Sequence, residues 1–125
     1  MINSGGRNSV RNRCYESTES MEQQGFLQWF HLQFPEVLIF HVPNGGFRNV
    51  TTARRLRKEG VVPGIPDLYI PEWKIWIEMK KIKGSVLSNE QKRIIAYLEG
   101  IGDTVIVGYG ATDASVKVME GRKQC

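Results

Sequence analysis

At 125 residues the chain suits one domain, long enough for a hydrophobic core and too short for two. Its 41% hydrophobic and 24% charged residues match ordinary globular composition; with no apolar run near the ~20 residues of a membrane span and no apolar opening segment of signal-peptide type, a cytoplasmic location and no membrane partner are expected. Seventeen Lys and Arg against thirteen Asp and Glu, a net charge of +4, favour an anionic partner, while Cys14 and Cys125 lie too isolated for a disulfide framework or zinc site.

Residues 1–17, rich in Asn, Ser, Gly and Arg, read as a disordered leader whose Arg7, Arg11 and Arg13 have little to bury. From Ser17 or Thr18 to Phe34 the pattern is helical. Met21, Phe26, Leu27, Phe30 and Phe34 recur at threes and fours, Ser and Thr are available as caps, and Pro35 stops the run. Glu19 and Gln23 share a face of this helix, and Glu19 or Glu22 could either complement the helix N-terminus or lean towards a site. Residues 37–42 read as a buried strand, with His41 packed or facing a substrate, followed by the turn Pro43-Asn44-Gly45-Gly46. A basic surface helix is expected over 49–59, capped by Gly60 and carrying Arg54, Arg55, Arg57 and Lys58.

The central feature is the stretch 64–80. Two apolar runs, 68–70 and 75–79, flank a turn containing Pro71, which is a hairpin signal. Trp76, Glu78 and Lys80 alternate with Ile75, Ile77 and Met79, so the second set is expected in the core. Pairing Ile70 with Ile75 across the loop 71–74 sets Leu68 against Ile77 and Asp67 against Glu78. Two carboxylates at ~4 Å with an effective dielectric of ~20 repel by about 4 kcal/mol. Either a shared proton or an oxygen-liganding divalent cation offsets this, and the cation leaves positions for water and phosphate oxygen.

After Lys80, residues 81–86 read as a basic loop with Lys81 and Lys83. Ser88 and Gln91 form a capping box for a helix bearing Ile94, Ile95 and Leu98, stopped by Gly100 and Gly102. Residues 104–109 suit a strand inside a sheet covered on both sides, 111–119 a last helix or strand, and 121–125 a frayed end. The domain is thus expected over 18–120, as an α/β sandwich around a mixed central sheet flanked by helices. Arg48, Arg54, Arg55, Arg57 and Lys58 precede the acidic hairpin, and Lys81, Lys83, Lys92 and Arg93 follow it, an arrangement suited to a phosphate backbone.

Pro66-Asp67 followed by Glu78-Met79-Lys80 resembles the core of the PD-(D/E)xK nuclease superfamily. Together with the leading helix, Phe40-His41-Val42-Pro43-Asn44-Gly45-Gly46, the stretch 60–68 and Leu87-Ser88-Asn89-Glu90-Gln91, it resembles the VRR-Nuc group in its short stand-alone form, typical of phages and bacteria. The resemblance implies a restriction-endonuclease-like fold and cleavage of DNA dependent on Mg2+ or Mn2+. It implies Asp67 and Glu78 as metal ligands, Lys80 and Gln91 in the active site, and an acid from the first helix, placed at Glu19 with Glu22 as the alternative. It also implies a homodimer acting on branched DNA such as Holliday junctions. The rival expectations are a non-catalytic DNA-binding module and a subunit of a phage or repair assembly.

Overall fold

A computed structural model describes residues 16–43 and 50–123. The leader up to residue 15, with Arg7, Arg11, Arg13 and Cys14, lies outside the described residues, as do Asn44, Gly45, Gly46, Arg48 and Cys125. The elements in chain order are helix α1 (Glu19–Gln33), strand β1 (Phe40–His41), helix α2 (Val50–Lys58), strand β2 (Leu68–Ile70), strand β3 (Ile75–Lys80), helix α3 (Asn89–Gly100), strand β4 (Thr104–Tyr109) and helix α4 (Ala111–Arg122).

The hairpin organises the sheet. Leu68 pairs with Ile77, Tyr69 with Trp76 and Ile70 with Ile75, all antiparallel, the register that the apolar alternation predicts. Its loop is a single 3-10 turn, Pro71–Trp73, closed by Lys74 in the left-handed region, whose N–H returns to the Pro71 carbonyl at 3.2 Å. β1 pairs antiparallel with β2, and β4 runs parallel to β3, so the order is β1-β2-β3-β4. A parallel neighbour demands a crossover, and α3 supplies it.

One face of the sheet carries Leu68, Ile70, Ile75, Ile77, Met79 and Ile106, which pack with Phe26 and Phe30 of α1 and Ala114 and Val118 of α4 into the core. Thr18 caps α1, its hydroxyl accepting the Met21 N–H at 3.1 Å, as the Ser and Thr residues before the helix suggest. Gly108 of β4 lies against α4 so closely that a Cβ there would sit 2.5 Å from the Ala114 Cβ. This small-against-small contact lets helix and strand approach.

Three expectations change. The strand expected over 37–42 is only Phe40–His41, because its partner β2 is itself three residues long; Ile39 is buried without ladder pairing and Leu38 is exposed. β4 lies at the edge of the described sheet. Its apolar run is explained by helices on both faces, α4 on one and α3 on the other. The last segment is a helix and continues through Arg122, past the frayed start expected at 121.

The Gly108 contact can be checked by urea denaturation. Gly108→Ala should destabilise the protein by about 1–3 kcal/mol through overpacking, and adding Ala114→Gly should restore much of the loss.

Candidate active site

Asp67 stands just before β2 and Glu78 lies within β3, next after the Leu68–Ile77 pair, and the register brings them together as expected. Each carboxylate has one oxygen tied to the protein. Asp67 Oδ2 accepts the Met79 N–H at 2.7 Å, and Glu78 Oε1 accepts a hydrogen bond from Gln91 Nε2. Among the described residues Glu78 Oε2 is buried with no hydrogen-bond partner. This oxygen and the Asp67 carboxylate beside it come from neighbouring segments of the hairpin and are the donor type that hard divalent cations take. No three His, Cys, Asp or Glu side chains form a metal cage among the described residues, so an ion here would rest on this pair and complete its shell from water and substrate oxygens.

Glu78 is 3% exposed, and its pKa is pushed up to about 9, first by burial, then by the negative charge of Asp67 and a hydrogen bond with it. Lys80 opposes this shift and Glu19 adds to it. To ionise beside another acid, this buried carboxyl needs a counter-charge, and the chain provides only part of one. Lys80, buried at 8% exposure, donates from Nζ to Gln91 Oε1 at 3.0 Å, so it reaches Glu78 through the Gln91 amide.

Gln91 holds two positions at once. With Ser88 it forms the capping box of α3, the Gln91 N–H reaching Ser88 Oγ at 3.1 Å and the Ser88 N–H reaching Gln91 Oε1 at 2.9 Å. The same amide spans Lys80 and Glu78. The capping pattern is legible in the sequence; that the cap lies against the carboxylates is a tertiary fact. It depends on Gly64, whose φ is +91° and whose Cβ, were there one, would meet the Glu90 carbonyl at 2.6 Å. Only glycine lets the segment before Asp67 seat against the first turn of α3.

These residues line an open cavity of about 240 Å³ whose walls are Glu19, Pro63, Gly64, Ile65, Asp67, Glu78, Ser88, Glu90 and Gln91. Glu19 therefore reaches the cavity, its pKa raised by burial and by Asp67 against the opposing charges of Lys80 and Lys81. Glu22, the alternative, is engaged elsewhere. Its Oε1 accepts the Ala111 N–H at 2.8 Å at the start of α4, its other oxygen takes the Ser17 hydroxyl, and these bonds lower its pKa. Nothing local in the sequence separates the two acids; only the contact with α4, 89 residues away, does so.

Of the basic residues, Arg54, Arg55, Arg57 and Lys58 are exposed on α2, which turns at Gly60 into the segment that forms the cavity wall. Lys81 and Lys83 are exposed just after β3, and Lys81 is close enough for its charge to act on Glu19. Lys92 and Arg93 are exposed on α3. Arg48 lies outside the described residues. His41 donates no group to the cavity wall but contacts the Asp67 backbone, with its Nδ1 2.9 Å from the carbonyl oxygen. No helix among the described residues is long and apolar enough to cross a membrane.

Sheet order, flanking helices and the acidic hairpin define an α/β sandwich of the restriction-endonuclease-like type. No family model matches the chain, and no curated protein matches it in sequence. Among solved structures it is similar to a VRR_NUC domain protein, with a TM-score of 0.69 and 24% identity, over 89% of this chain and 92% of that one. The chain thus has the fold of a VRR_NUC domain, as the sequence resemblance implies.

The shifted acid generates a pH test on the metal-free protein. Glu78 has a folded pKa of about 9 against an ordinary value of 4.5, so its stabilising contribution is fully present below the lower value and is lost as pH rises towards the higher one. In EDTA the Tm should fall between about pH 5 and about pH 9, Glu78→Gln should flatten that fall, and millimolar Mn2+ should raise the wild-type Tm most at the alkaline end. Scanning calorimetry across pH reads all three.

Proposed function

We propose that the chain is a structure-selective DNA endonuclease that hydrolyses phosphodiester bonds with Mg2+ or Mn2+, acting in the cytoplasm as a homodimer on branched DNA such as Holliday junctions. One observation carries the reading: two acids from neighbouring strands meet at one cavity, with Glu78 Oε2 buried and unpartnered, beside a lysine held by a glutamine. Likeness to a VRR_NUC domain protein supports it, as does an excess of cations on both sides of the hairpin.

Asp67 and Glu78 would hold the ion, which when bound polarises a phosphate oxygen and eases deprotonation of water. The other duties fall to the chain itself. The Met79 N–H and the Gln91 amide fix the carboxylates, so that the two acids present a prearranged pair. Lys80 spends one ammonium hydrogen on Gln91 and keeps two, with which it orients the attacking water or stabilises charge on the phosphate. Glu19, on the cavity wall, orders water at the edge of the site. The arginines of α2, together with Lys58, Lys81 and Lys83, hold flanking phosphates and set the register of the strand without reading its bases. A homodimer would supply two such sites, suited to the paired incisions that resolve a four-way junction.

Incubation with four-way junction, flap, splayed and linear duplex DNA tests this. Cleavage should require Mn2+ or Mg2+, favour the junction, and disappear in Asp67→Asn and in Lys80→Ala while their DNA affinity and fold persist. Tight binding without cleavage in any metal would instead identify a DNA-binding module.

Backbone contact has a separate signature. Replacing Arg54, Arg55 and Arg57 by Ala should weaken DNA binding and flatten the dependence of log K on log salt by up to about 0.9 per lost contact. An unchanged slope would remove α2 from the interface.

A further inference from the structure

We propose that His41 is the positioning residue for Asp67, acting through its Nδ1 hydrogen on the Asp67 backbone carbonyl; this rests on the reading of Asp67 as a metal ligand. Asp67 stands just before the first residue of β2, where the ladder ends, and its strand neighbour β1 is two residues long. Two donors grip its carbonyl there, the Val42 N–H at 2.7 Å and His41 Nδ1 at 2.9 Å.

A carbonyl oxygen only accepts, so Nδ1 must carry the hydrogen, which assigns the tautomer of neutral His41. The side-chain amide of Gln23 lies 3.3 Å from the same nitrogen. Two donors facing one another are unfavourable, so with Nδ1 protonated the amide turns its oxygen towards the ring. The one Nδ1 hydrogen is then shared, the nearer acceptor being the Asp67 carbonyl at 2.9 Å and the farther the Gln23 amide at 3.3 Å. Gln23 sits one turn from Glu19 on the same face of α1, and Glu19 lines the cavity. His41 thus joins the helix that brings Glu19 to the residue that brings one of the two paired carboxylates.

The consequence is geometric. With its carbonyl held from β1 and Oδ2 held by the Met79 N–H, Asp67 is fixed at both its backbone and its carboxylate. Loosening the carbonyl lets the backbone at the strand start rotate, and the carboxylate loses its fixed bearing on Glu78. Partners of this kind behind a metal ligand set affinity without touching the ion.

Isothermal titration of Mn2+ into the full-length protein tests the assignment, with Tm in EDTA as the control for folding. His41→Ala should weaken Mn2+ binding by about 10-fold or more with little change in Tm. His41→Asn, whose amide nitrogen overlays Nδ1, should stay within about threefold of wild type, whereas His41→Gln, which reaches towards the Nε2 position, should resemble His41→Ala. Wild-type affinity in His41→Ala, with binding abolished in Asp67→Asn, would overturn the role of His41 and leave the ion site standing. Wild-type protein that titrates no Mn2+ would overturn both. Should His41→Ala unfold, the Asn and Gln variants decide the matter, and equal affinities in the two would overturn the proposal.

Discussion

Two carboxylates are forced together by the packing of apolar side chains several residues away. Burying Leu68, Ile70, Ile75 and Ile77 on one face fixes the register of the β2–β3 hairpin, because a slip of one residue would turn the apolar set of the slipped strand outward. That register puts Asp67 and Glu78 side by side at the open end. The acidic pair is therefore a by-product of core formation, and its electrostatic strain is carried by the hydrophobic energy of the hairpin. The neighbouring groups answer this constraint in part. Met79 and Gln91 each satisfy one oxygen, Lys80 offsets some charge through Gln91, and the residual demand is expressed in the raised pKa of Glu78.

Gln91 shows how local and tertiary order can share a side chain. As the third residue of α3 it closes a capping box, and so the helix begins where this amide is fixed. As the partner of both Lys80 and Glu78 it also ties that starting point to β3. Helix placement and site geometry are consequently one degree of freedom. Gly64 completes the coupling, since its backbone contact with Glu90 sets how near the β2 approach and α3 can lie.

What was legible in the sequence follows from the range of each cause. The hairpin register follows from alternation within a few residues and the α3 cap from Ser88 with Gln91, where the pattern is itself local; for α1 the sequence offers Ser17 or Thr18, and the structure uses Thr18. The extent of β1 was not legible, because ladder length is a property of the partner strand. The choice between Glu19 and Glu22 was not legible either, since both lie in the first turn of one helix and only the position of α4 distinguishes them. His41 could be read as packed or facing a substrate; its contact with the Asp67 carbonyl spans 26 residues and leaves no periodic trace.

The division of labour in α1 follows from the same geometry. Residues three apart on a helix face similar but not identical directions, so Glu19 and Glu22 diverge enough to address different parts of the molecule. Glu22, at the N-terminus of α4, sits where a negative charge is favourable and where its hydrogen bonds hold it ionised. That contact joins α1 to α4, and thereby to β4, whose last residues run beside the end of β3. Glu19 is the opposite case, an acid placed where burial and Asp67 disfavour its charge. One acid stabilises the position of the helix, and that position holds the other in an electrostatically unfavourable place. A carboxylate kept where it is least comfortable is a group whose strain a cation or a proton can relieve, and this is the property that separates the cavity from the rest of the surface.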